Sequence, residues 1–63
     1  MKIRVLARKN KKGQQQFIVQ LLNVRDEWAQ LKEFDTLQDT SAYLRELKKH
    51  NKITDDDIEY SIT

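Results

Sequence analysis

The side chains able to do chemistry in this chain are few, and their spacing suits binding better than bond-making. There is no cysteine, and His50 is the only histidine. Covalent catalysis needs an activated nucleophile beside a base, with a third group orienting that base. His50 instead follows Lys48 and Lys49 at the end of a helical pattern, where positive charge complements the helix dipole. Asp55, Asp56, Asp57 and Glu59 could suggest a cation loop, but calcium loops use alternating carboxylates around a central glycine. Here the acids are consecutive and Gly13 is the only glycine, so turn and cap chemistry explains them better. A lone glycine also excludes a glycine-rich phosphate loop. The residues imply no enzyme, no metal, no cofactor and no small-molecule substrate.

The basic run Arg8-Lys9-Asn10-Lys11-Lys12 is the strongest positive feature. Like charges crowded at a turn repel one another, and a polyanion relieves that repulsion. A two-stranded β-ribbon fits a DNA major groove. Arg4, Arg8, Lys9, Lys11 and Lys12 are therefore the candidate nucleic-acid contacts. The plainer reading gives these lysines the task of keeping a sheet edge from aggregating. Single-stranded nucleic acid is disfavoured, because stacking platforms need exposed aromatics. Phe17, Trp28 and Phe34 read as core.

These residues must be positioned by a small α+β scaffold, a single domain over 1–63. Ile3, Val5 and Ala7 alternate with Lys2, Arg4, Leu6 and Arg8 over 2–9, the two-residue period of a strand. Asn10 to Gly13 carries a hairpin signal, and residues 15–24 return as a second strand. A third strand is expected at about 27–34, with Trp28 and Phe34 on one face. Asp26 as a helix cap is the competing reading of that segment. Thr36, with Asp39 three positions on, opens a helix in a variant of the capping box. Its expected stripe is Leu37, Ser41, Leu44 and Leu47, flanked by Thr40 and Tyr43. Asn51 would end it in a left-handed conformation, with Ile53 folding back on the stripe. After an acidic turn, Ile58, Tyr60 and Ile62 alternate as a last strand supplying three core side chains. The order is β-β-β-α-β, one sheet with one helix on a face.

That arrangement leaves a second sheet face. If the helix covers Ile3, Val5, Phe17, Val19 and Leu21, then Leu6, Ile18, Leu22 and Val24 face solvent. Exposed aliphatic patches mark interaction sites, and a homodimer is the commonest way to bury one. Coverage by long Lys and Arg stems, or a bulge that shifts the strand faces, is the alternative. The strand-to-helix junction Phe34-Asp35-Thr36-Leu37, followed by Ala42 and Leu44, resembles that of the arm-type DNA-binding domain of tyrosine recombinases. The resemblance covers about a third of the chain and implies a three-stranded sheet backed by a helix, entering the major groove. That family has no counterpart to the strand at 58–62.

Charge separates along the sequence. Met1 to Arg25 holds seven cations and no acid, while Asp26 to Thr63 holds ten acids against five cations. Such asymmetry suggests a polyanion-facing end or a complementary self-contact. No stretch is apolar enough for a signal peptide or a membrane span. Without cysteine, a cytoplasmic setting is expected. These features point to a non-enzymatic accessory protein of the phage or mobile-element kind, binding another protein or itself. Nucleic-acid binding through the basic hairpin is the alternative.

Overall fold

The computed structural model describes residues 2–51 and 53–61. Four strands and one helix follow in the order β1 (Ile3–Lys9), β2 (Gln15–Leu22), β3 (Trp28–Phe34), α1 (Leu37–Asn51) and β4 (Ile58–Ser61). A single 3₁₀ turn at Asp55–Asp57 precedes β4. The sheet order is β3-β2-β1-β4. The first three strands pair antiparallel as consecutive hairpins, and β4 pairs parallel with β1. Parallel pairing needs a crossover, which α1 supplies. Its 15 residues span ~22 Å, enough to carry the chain across the ~14 Å between the two edge strands.

One face of the sheet packs against the helix. Ile3, Val5, Phe17, Val19, Leu44, Ile53 and Ile58 form the buried core, with Ala7, Leu21, Phe34, Tyr43 and Leu47 against it. The Phe34 and Tyr43 rings lie 5.3 Å apart between centroids, tying β3 to the helix. Leu37 and Ser41 face solvent, contrary to the expected stripe. The inward line runs instead through Thr40, Leu44 and Leu47, so the contact face is rotated towards Tyr43. Thr40 tolerates complete burial because its hydroxyl donates to the Thr36 carbonyl oxygen at 2.8 Å.

The helix starts as expected, with the Asp39 N–H donating to Thr36 Oγ1 at 3.1 Å. It does not end as expected. Asn51 is still helical, and Asp26 is the one non-glycine with positive φ among the described residues. Asp26 is not a helix cap either; it closes the β2–β3 turn. The reciprocal side-chain contact expected at Thr36 and Asp39 occurs at Thr54 and Asp57. There the Asp57 carboxylate accepts from the Thr54 N–H at 3.1 Å and its hydroxyl at 3.2 Å. Within β4, Ile58 is buried but Tyr60 is 55% exposed at the sheet edge. Ile62 lies outside the described residues.

Both hairpins use the same turn. In Asn10–Gln14, the Asn10 side-chain oxygen accepts from the Lys12 and Gln14 N–H groups, while the Gly13 N–H donates to the Asn10 carbonyl. In Asn23–Glu27, Asn23 accepts from Arg25 and Glu27 in the same way, and Asp26 takes the place of Gly13. Gly13 has φ 78° and Asp26 φ 59°, the left-handed residue that closes a three-residue hairpin loop.

Candidate nucleic-acid interface

The strand register lays the open face out as a grid. Arg8 on β1 faces Gln16 on β2; Leu6 faces Ile18, which faces Glu33 on β3. Arg4 faces Gln20, which faces Gln30; Leu22 faces Trp28 at the far end. On the other side of β1, Glu59 lies beside Arg4 and Ser61 beside Leu6.

A bulge in β3 determines who joins this face. Val19 pairs with Lys32 but Gln20 pairs with Gln30, leaving Leu31 as the extra residue. An extra residue inverts the alternation. Trp28 and Phe34 therefore lie on opposite faces, not the shared one expected from their even spacing. Trp28 is not core. It is half-buried on the open face, where the Arg4 guanidinium carbon sits 4.1 Å from its ring centroid. Arg4 Nε also donates to Gln20 Oε1 at 2.6 Å.

This arrangement corrects the expectation of an uncovered aliphatic patch. Ile18 is only 2% exposed although no helix lies over it. Its neighbours along and across the sheet are Gln16, Gln20, Leu6 and Glu33. Arg4 with Gln20 flanks the row on one side and Arg8 with Glu33 on the other, and long stems of this kind can cover apolar surface while their heads stay wet. Leu6 and Leu22 are half-buried, and Val24 lies outside β2, fully exposed in the second turn.

The candidate cations do not behave alike. Arg4 is half-buried and engaged by Gln20 and Trp28. Arg8, Lys9, Lys11 and Lys12 are exposed. Arg8 Nη2 lies 3.8 Å from Glu33 Oε2. Lys9, Lys11 and Lys12 make no ion pair among the described residues. Lys11 and Lys12 ride on the turn that Asn10 fixes, so their backbone is already ordered. Gln20 shares this face with Ile18, as the alternation of β2 predicts, while Gln16, Trp28, Gln30 and Glu33 join it without having been expected there. Gln16 was legible from the same period of two, since it shares a face with Ile18. Trp28 and Glu33 were not, because their odd spacing reaches one face only through the bulge.

Cations predominate at one end and acids at the other, although Asp35 lies beside Gln14 and Gln15 at the basic end and Arg25 sits in the second turn. The β1–β2 turn carries Lys11 and Lys12, with Arg8 and Lys9 just behind. At the opposite end, Asp26 and Glu27 in the second turn join Asp56, Asp57 and Glu59. The last three line a cleft of about 330 Å³ with Lys2 and Trp28. His50 pairs with Glu46 at 3.1 Å on the exposed helix surface, and Lys48 pairs with Asp55. The Asp57 carboxyl is held below the usual carboxylate range, chiefly by the hydrogen bond from the Thr54 backbone N–H. Among the described residues no helix is long and apolar enough to cross a membrane.

Fold and site together define a small α+β domain with a polar open sheet face and a cationic hairpin end. No protein-family model, curated protein or solved structure matches the chain.

Proposed function

We propose that this chain is a non-enzymatic binding module that contacts the phosphate backbone of nucleic acid through its β1–β2 hairpin end. One observation carries the reading. Arg8, Lys9, Lys11 and Lys12 are exposed on and beside one ordered turn, and three of them have no anionic partner among the described residues. Cations held on fixed backbone neutralise phosphates without first paying for order. Arg4, already bound by Gln20 and Trp28, supports the face and is left out of the direct contacts. The reading of a protein partner or homodimer draws on an open aliphatic patch or on the acidic helix-and-tail half. The burial of Ile18 removes the centre of that patch and the support it gave. A cytoplasmic, cysteine-free setting of the phage or mobile-element kind belongs to the same proposal.

The test is binding of a labelled 20-base-pair duplex across a salt series. The three lysines give a slope of log K against log salt of about −2.7, and full release from Arg8 as well takes it to about −3.6. Replacing Lys9, Lys11 and Lys12 by Gln makes that slope shallower by about 2.7. Absence of duplex binding at low salt, or an unchanged slope in the triple variant, overturns the proposal.

A further inference from the structure

Resting on that reading, we infer that Glu33 competes with phosphate for Arg8 and thereby sets the affinity of the basic end. Glu33 is the acid that β3 contributes to the open face. Its Oε2 lies 3.8 Å from Arg8 Nη2 and accepts from Gln30 Nε2 at 3.3 Å. The register fixes it there, opposite Ile18 and diagonal to Arg8.

The contact is poorly explained as a fold device. An exposed, monodentate pair at this distance adds little to stability, because water screens it and both side chains lose freedom in making it. Its effect on an incoming anion is larger in proportion. A phosphate reaching Arg8 meets a fixed negative charge beside the cation that should receive it. Either the guanidinium leaves Glu33, or the carboxylate stays and repels. In both cases the complex is weakened, and Arg8 contributes less than a full counterion release. Lys11 and Lys12, at the tip, have no such competitor in the described residues.

The experiment compares wild type, Glu33→Gln, Arg8→Gln and the double variant for binding of a labelled 20-base-pair duplex between low and physiological salt. Gln at position 33 keeps an oxygen to accept the Gln30 hydrogen bond, and an unchanged circular dichroism spectrum checks the fold. Glu33→Gln is expected to tighten binding by about three- to tenfold at low salt and to steepen the salt slope by up to about 0.9. In the Arg8→Gln background the tightening falls below about twofold. Equal tightening with and without Arg8 means a general charge effect and overturns the inference, as does a Glu33→Gln protein that binds no better than wild type. Binding that weakens in the triple lysine variant but ignores Glu33→Gln retires the role of Glu33 alone. If neither wild type nor Glu33→Gln binds duplex, the nucleic-acid reading itself fails and takes this inference with it.

Discussion

Asn10 and Asn23 do the same work in two turns, and the residue three positions after each takes the left-handed conformation. Gly13 adopts its positive φ at no steric cost, and its Cα faces open space, so any penalty for a side chain there comes from the backbone alone. Gly13→Ala is expected to destabilise the protein by about 1 kcal/mol, measured by urea unfolding. Asp26 holds the equivalent conformation with a side chain. Asp26→Gly relieves the strain of a side chain there but loosens the unfolded chain, giving a net gain of a few tenths to about 1 kcal/mol. A loss of stability on Asp26→Gly contradicts the equivalence of the turns. Asp57 illustrates a different residue-scale effect. Its folded carboxyl lies below the ordinary value of 3.8, mainly through the Thr54 backbone N–H. A depressed folded pKa stabilises above the unfolded value, and that contribution is lost as pH falls from about 4 through the folded pKa. An NMR titration should place the Asp57 midpoint below that of an unfolded chain. Thr54→Val should leave most of the depression, because it keeps the N–H and removes only the hydroxyl.

The elements differ in how much the sequence disclosed. Strands β1 and β2, the hairpin between them and the helix start at Thr36 follow from period, turn chemistry and capping. All of these act within a few residues, so sequence reveals them. Thr36→Ala should cost about 1 kcal/mol in thermal or urea unfolding by orphaning the Asp39 N–H. The rotated helix stripe and the β3 bulge were not legible. Which helical face turns inward depends on where the sheet lies, and the bulge becomes visible only against its partner β2. β4 divides along the same line. Its alternation identified a strand, but its depth comes from the parallel pairing with β1 at the sheet edge. Ile58→Ala should therefore cost about 2–4 kcal/mol, because Ile58 is enclosed by the core. Tyr60→Ala should cost under about 1 kcal/mol, because over half of that side chain is already in water. Similar losses for the two would mean that the edge strand is enclosed by something beyond these elements.

For the whole molecule, the open face decides how association is read. Ile18→Lys places a charge in a site the chain itself closes, so it should destabilise the fold by several kcal/mol. Val24→Lys, on a fully exposed turn, should be neutral within about 0.5 kcal/mol. Unfolding curves for the two, with sedimentation at high concentration, separate a covered face from a dimer interface. A well-folded Ile18→Lys monomer derived from a wild-type dimer would restore the interface reading. Edge-to-edge pairing through β3 is discouraged by the charges of Lys32 and Glu33 and by the bulge at Leu31.

The sequence by itself determined the class, the β-β-β-α-β order, most of the core on the helix side of the sheet and the exposed cationic turn. Those properties depend on composition and on periods of two and 3.6, which a linear chain displays. Tertiary structure decided which candidate cations are available. Arg4 and Arg8 look equivalent on β1, four residues apart on one face. Only the partners brought by β2 and the bulged β3 distinguish them, with Gln20 and Trp28 holding Arg4 and Glu33 standing beside Arg8. Ile18, between Leu6 and Glu33, is buried without a covering helix. Burial and ion pairing are set by neighbours distant in sequence, and here one inserted residue in β3 brings Trp28 and Glu33 onto the same face.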